Sequence, residues 1–267
     1  MSPTGVYEVY AIKYATLARR KASENFIGGD PHEAGSNLDY FVWLARSKQR
    51  TFVIDTGFDA KVGKRRGRRM ITPPGQGLKL LGVDVKKVKD VIITHLHYDH
   101  VGNFSLFPVA KFHLQDDEMA YATGRHMADK VLGHSYEADQ VVGMVREVYK
   151  GRVRFHDGDA ELAPGLSIHR IGGHTRGMQA VRVRTRVGWM VLASDAAHLY
   201  ANMDGMRPFP IVFDVGRMVE GYARLRELAD APDRVIPGHD PLVMQRYSAP
   251  RPALEGIVVR LDERPKG

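Results

Sequence analysis

The sequence predicts an α/β fold in which two β-sheets are sandwiched between helical layers, within a single domain over residues 1–267. Three observations point there. Short apolar or alternating stretches recur at both ends of the chain, stretches of helical periodicity lie between and after them, and Gly, Pro, Asp or Asn punctuate the gaps. No internal repeat, low-complexity tract or interdomain linker interrupts the pattern.

The first strands are expected at 6–12, 40–45 and 51–55, the second a continuous apolar run and the third ending at Asp55. Residues 14–39 lack periodicity, and such a stretch serves either as a lid or as a plain surface excursion. A helix is expected at 76–81, then strands at 90–94 and 110–114. A helix at 116–122 opens with Asp116, Asp117 and Glu118, acids that the helix dipole favours at that end. Another helix over 139–150 precedes strands at 152–155, 166–171, 179–185 and 189–193. In the last predicted helix, 215–228, Met218, Tyr222, Leu225 and Leu228 recur at helical spacing, and a strand at 234–236 follows.

Composition narrows the class. With 267 residues, 43% of them hydrophobic, the chain can bury a sizeable core. No apolar stretch is long enough to span a bilayer, so no membrane partner is expected. Residues 1–25 carry Lys13, Arg19, Arg20 and Lys21 but no apolar core of a secretory signal. The absence of cysteine excludes disulfides and thiolate ligands and fits a cytoplasmic location. The net charge of +8 raises the question of nucleic acid. The densest basic run, 61–69, has none of the interleaved aromatics of a single-strand platform. It reads as a solvated loop or as a guide for an anionic substrate, and no nucleic-acid partner is expected.

The chemistry concentrates in residues 94–103, Thr-His-Leu-His-Tyr-Asp-His-Val-Gly-Asn. Alternation at a strand end lets His95 and His97 point the same way, and a turn is needed to bring Asp99 and His100 to the same spot. Three more apolar strands end in a ligand-capable side chain: His174 after Gly172-Gly173, Asp195 after Ser194, and His239 after Gly238. Seven such groups are too many for one tetrahedral ion and suit two divalent metals sharing a carboxylate. Asp195 is the natural bridge. Imidazole and carboxylate donors suit Zn, Mn or Fe.

His95-x-His97-x-Asp99-His100, Gly173-His174-Thr175, Asp195 and Gly238-His239, preceded by Ile54-Asp55-Thr56-Gly57, resemble the motifs of the metallo-β-lactamase superfamily, and within it those of N-acyl homoserine lactonases. The resemblance implies a four-layer αβ/βα sandwich, with His95, His97 and His174 on one metal, Asp99, His100 and His239 on a second, and Asp195 bridging, zinc being the first choice of ion. It implies a small-molecule lactone or ester opened by a metal-bridging hydroxide that Asp99 orients, with the proton passing to the leaving alkoxide. It leaves room for a homodimer. The lactonases usually place a tyrosine three residues after the bridging aspartate; here that position is His198, so either His198 or Tyr200 takes the contact with the substrate carbonyl, or the role is absent. A glyoxalase II-type thioesterase is the alternative, and would need a basic patch of which Arg246, Arg251 and Arg260 are the only hint. Phe26, Ile27, Met203, Met206, Phe209, Ile211 and Phe213 are the expected pocket residues.

Overall fold

A computed structural model describes residues 5–266; the expected domain range reaches past them at both ends. Two sheets face each other. The first contains β1 (Glu8–Leu17), β2 (Leu38–Arg46), β3 (Thr51–Ile54), β4 (Arg69–Met70), β5 (Asp90–Ile92), β6 (Lys111–Gln115) and β7 (Val153–His156), and is completed by β13 (Val258–Arg260). The second contains β8 (Ala160–Ala163), β9 (Leu166–Arg170), β10 (Gln179–Thr185), β11 (Gly188–Ser194) and β12 (Val235–Pro237). The strand orders are β13-β1-β2-β3-β5-β6-β7, with β4 beside β1, and β12-β11-β10-β9-β8.

The layers follow from side-chain alternation. Val9 and Ala11 of β1 and Phe41, Trp43 and Ala45 of β2 point into the core shared with the second sheet, where Val181, Val183 and Leu192 meet them. Their neighbours Tyr10, Ile12, Val42 and Leu44 point the other way, into a second core that includes Leu78, Val141 and Met144 of the helices Pro74–Leu80 and Ala138–Tyr149. On the outside of the second sheet lies the helix Val215–Leu228, which buries Met218, Tyr222, Leu225 and Leu228. The result is the expected helix–sheet–sheet–helix sandwich.

Strands β3, β5, β6 and β7 run parallel, as do β11 and β12. Ligand sites of α/β sheets form beyond the carboxyl ends of such strands, and Asp55, the 94–100 segment, Asp195 and His239 all follow those ends.

Several expectations need correction. β1 continues to Leu17, because its far end pairs with Leu38 and Asp39 of β2 and with β4. The basic run is no loop: Ala60–Arg65 is a helix capped by Asp59, whose carboxylate accepts from the Val62 N–H, and which buries Val62, while Arg69 enters β4. Strands β4, β8 and β13 are short pieces whose pairing partners, not their own composition, make them strands.

Among the described residues, no helix is long and apolar enough to cross a membrane.

Candidate metal centre

The seven candidate ligands converge. After β5 the chain bends at Thr94 and again at His97, then closes into the short helix Tyr98–Val101, which brings Asp99 and His100 back beside His95. Nε2 of His95, Nδ1 of His97 and Nε2 of His174 lie 3.0 to 3.2 Å from one another. Nε2 of His100 and Nε2 of His239 lie 3.7 and 3.8 Å from Asp99 Oδ2. Asp195 stands between the groups. Its Oδ1 is 3.3 Å from His100 Nε2 and 3.0 Å from His239 Nε2, and its Oδ2 is 3.4 Å from His174 Nε2. All seven are buried.

Glycine permits the approach at two places. Gly173 turns with φ +84°, and a Cβ there would meet the Met218 backbone at 2.6 Å. A Cβ on Gly238 would lie 2.7 Å from Asp195 Oδ1.

The hydrogen bonds behind the rings select their tautomers. His174 Nδ1–H donates to the Ile211 carbonyl (2.6 Å), His239 Nδ1–H to the Asp39 carbonyl (2.8 Å) and His100 Nδ1–H to Asp55 Oδ2 (2.7 Å). Each therefore presents an Nε2 lone pair inward, the arrangement a metal requires. His100 Nε2 and Asp195 Oδ1 are buried without a hydrogen-bond partner. A tetrahedral ion with nitrogens at about 2.0–2.1 Å holds them roughly 3.3 Å apart, close to the spacing of the three-histidine group. The donor set thus fits divalent cations.

The electrostatics agree. Burial pushes the His95 and His97 imidazoles well below the usual histidine range, helped by the imidazoles around them, and burial also lowers His174. Neutral rings are what coordination needs. Burial opposes charge on His100 and His239 as well, but the neighbouring carboxylates, Asp195 first, outweigh it and raise both. Burial likewise opposes charge on Asp195, and His239, His100 and His198 overcome it, holding the carboxyl well below its ordinary range. The carboxylates at this end of the site call for positive charge.

Two buried acids to which the sequence assigned no role in the site hold it together. Asp55, in the left-handed region at φ +60°, accepts from the Thr94 N–H (2.7 Å) and hydroxyl (2.8 Å) in addition to His100. Glu118 stands in the first turn of its helix, as expected, and is fully buried there. It accepts from the Leu96 N–H (2.9 Å), the Tyr136 hydroxyl (3.1 Å), the Thr175 hydroxyl (2.6 Å) and the Gly177 N–H (3.2 Å), tying together the loops that carry His95, His97 and His174. Burial outweighs these bonds and raises its pKa. The one available signal was its place on a helix directly after an apolar strand.

His198 lines the cavity over the candidate ligands, and its Nε2 lies 2.9 Å from Asp195 Oδ2. It joins His174 and Asp195 in a further group with donor atoms within 4.8 Å of one another. Its ring stacks on Phe209 at 3.4 Å, and burial lowers its pKa to about 3. Tyr200 is not brought to the cavity: its ring lies beneath the Arg246 guanidinium at 3.9 Å. Of the expected pocket residues, only Ile211 lines the cavity. Met203 and Phe209 are buried, Phe26 is buried beneath Arg207, Phe213 packs on Tyr121, and Ile27 and Met206 are exposed. From the basic run, Arg66 and Arg68 face the cavity, joined there by Arg20.

A two-sheet sandwich with a buried histidine and aspartate centre at its strand ends defines a metal-dependent hydrolase. The chain belongs to the metallo-β-lactamase superfamily, whose family model matches residues 36–239. A probable metallo-hydrolase of Mycobacterium tuberculosis is 25% identical over 229 residues, covering 79% of this chain and 73% of that protein. The N-acyl homoserine lactonase AiiA of Bacillus thuringiensis subsp. kurstaki is 24% identical over 222 residues, covering 76% and 82%. The crystal structure of a quorum-quenching N-acyl homoserine lactone lactonase superposes with a TM-score of 0.74 at 22% identity, over 90% of this chain and 95% of that one; at that identity the likeness speaks for the fold.

Proposed function

We propose that this protein is a dinuclear lactone hydrolase, built as one catalytic domain and working in the cytoplasm on a small-molecule lactone or related ester. The observation that carries this reading is Asp195, which turns one oxygen toward the three-histidine group and the other toward His100 and His239. His95, His97 and His174 would hold one ion, Asp99, His100 and His239 the other, with Asp195 between them. Their donor chemistry suits zinc, with Mn or Fe as alternatives. When bound, the cations supply an acidified water as nucleophile and polarise the carbonyl.

The chain's own groups do the rest. Asp99 would orient the nucleophile and carry a proton to the departing alkoxide. His198 is the better placed of the two carbonyl contacts, because it lines the cavity and its N–H, now directed at Asp195, is a donor within reach of it. The arginines that a thioesterase would need are engaged elsewhere: Arg246 over Tyr200, Arg251 on the Leu80 carbonyl and Arg260 on Asp262. That supports the lactone over the thioester.

Metal analysis of protein purified without chelator is expected to give two ions per chain; one ion or none, with all seven ligands intact, sinks the dinuclear reading. A panel of acyl homoserine lactones, aryl lactones, S-lactoylglutathione and nitrocefin tests the substrate, with lactone opening expected to exceed the others. His198→Ala is expected to lower turnover on the order of 10²-fold with metal content retained, the usual effect of losing one donor to a developing oxyanion. Wild-type turnover in this variant would remove His198 from the chemistry.

A further inference from the structure

The cavity over the metal ligands is poor in aliphatic lining, with only Leu38 and Ile211, and rich in guanidinium. Three arginines reach it, and they are not equivalent. Arg66 is paired: its Nε lies 2.8 Å from Glu137 Oε1, a carboxylate it shares with Arg65, and it donates to the His134 carbonyl. Arg68 has no carboxylate within 4.0 Å among the described residues; it donates to the Tyr98 hydroxyl (3.0 Å) and the Arg66 carbonyl (2.5 Å). The carboxylate facing that wall, Asp99, belongs to the ligand set. Arg20 comes from the segment before β2. Its side chain is only 9% exposed, its Nε is buried without a partner, and its nearest carboxylate, on Glu24, is 4.0 Å away and half exposed.

A nearly buried Arg20 and a partly buried Arg68 beside a reaction site, with countercharge incomplete, are costly unless an anion completes them. Arginine's planar fork matches a carboxylate or a phosphate. A long neutral acyl chain would instead want an apolar groove, and this wall offers none. Within the proposed ester or lactone hydrolysis, on which this step rests, we infer that the substrate carries a second, unreactive anionic group, a carboxylate or a phosphate, seated between Arg20 and Arg68. The basic run is therefore part of the site: its Arg68 recognises the substrate, while Lys61, Lys64, Arg65 and Arg69 stay exposed.

The test uses the metal-loaded protein and substrates matched except for charge: p-nitrophenyl pentanoate against mono-p-nitrophenyl glutarate, and N-pentanoyl against N-glutaryl homoserine lactone. The expected result is a kcat/KM ratio favouring the anionic member by about ten- to hundredfold, as charged hydrogen bonds to arginine allow, expressed mainly in KM. Arg20→Met and Arg68→Met each bring the ratio toward unity, Arg68→Lys restores part of it, and the solvent-facing Lys64→Met keeps it. A phosphonate of the same length decides between headgroups: the better of the two anions names the group. Calorimetry of glutarate and of inorganic phosphate should show weaker binding in both methionine variants at unchanged metal content. If the aryl esters show the charge preference but no lactone opens, the lactone reading fails and the anion site stands. A wild-type ratio at or below unity overturns the proposal. So does a ratio and glutarate affinity indifferent to both arginines, or a loss in Lys64→Met equal to that in Arg68→Met, which would mark long-range attraction instead of a seat.

Discussion

Asp195→Asn is expected to abolish hydrolysis and to leave the protein with at most one bound ion. The carboxylate lies within 3.4 Å of inward ring nitrogens from both histidine sets, His174 on one side and His100 and His239 on the other. An amide keeps the shape but removes the charge and replaces one acceptor by a donor. That donor would face His100 or His174, and the charge that offsets buried His100 and His239 would be gone. Metal catalysis contributes several kcal/mol to transition-state stabilisation, so a fall of about a thousandfold or more in kcat/KM is the expected scale. Metal content and turnover measured on the same preparation check it. Two ions at wild-type affinity would remove Asp195 from the bridging position.

The second large effect is expected at a residue that touches no metal ligand directly. Glu118→Ala removes the acceptor of two buried N–H groups and two hydroxyls, from Leu96, Gly177, Thr175 and Tyr136. Buried donors left unpaired cost about 1–3 kcal/mol each. Water entering the space offsets part of this, so a loss of about 3–5 kcal/mol in unfolding free energy is expected, comparable with breaking a buried charge pair. Metal affinity should fall with it by about 10- to 100-fold, as when groups that orient ligands are lost, because the freed loops carry His95, His97 and His174. Gly177 shows how tight the junction is: a Cβ there would meet the Glu118 backbone nitrogen at 2.2 Å. Glu118→Gln, which retains one acceptor, should fall between. Denaturant unfolding with and without chelator separates the two effects; an alanine variant as stable as wild type would mean that the four donors find other partners.

Much of this protein was legible in its sequence because the informative signals are local. The helices at 116–122 and 215–228 and the strand at 179–185 lie where periodicity predicts them, since each writes its own pattern in consecutive residues. The histidines and aspartates announce themselves because each follows an apolar strand and glycines mark the turns. What the sequence could not show depends on partners far along the chain. Asp55 acts on residues 39 and 45 positions away, and Glu118 on Leu96, 22 positions before it, and Gly177, 59 after it. In sequence Asp55 is one member of a motif and Glu118 one of three acids at a helix start, and only burial and pairing show what each does. Strands β8 and β13 are too short to carry a pattern and exist because a neighbour offers hydrogen bonds. The choice between His198 and Tyr200 rests on which way a chain of a few residues turns after Asp195, and the division of the basic run into inward Arg66 and Arg68 and outward Lys64 rests on the hand of one short capped helix. The sequence by itself determined the layers and the candidate ligand set, because local periodicity and residue chemistry suffice for them. Only the tertiary structure decided which buried charges support that set and which arginines look into the site, because burial and pairing arise when distant segments pack together.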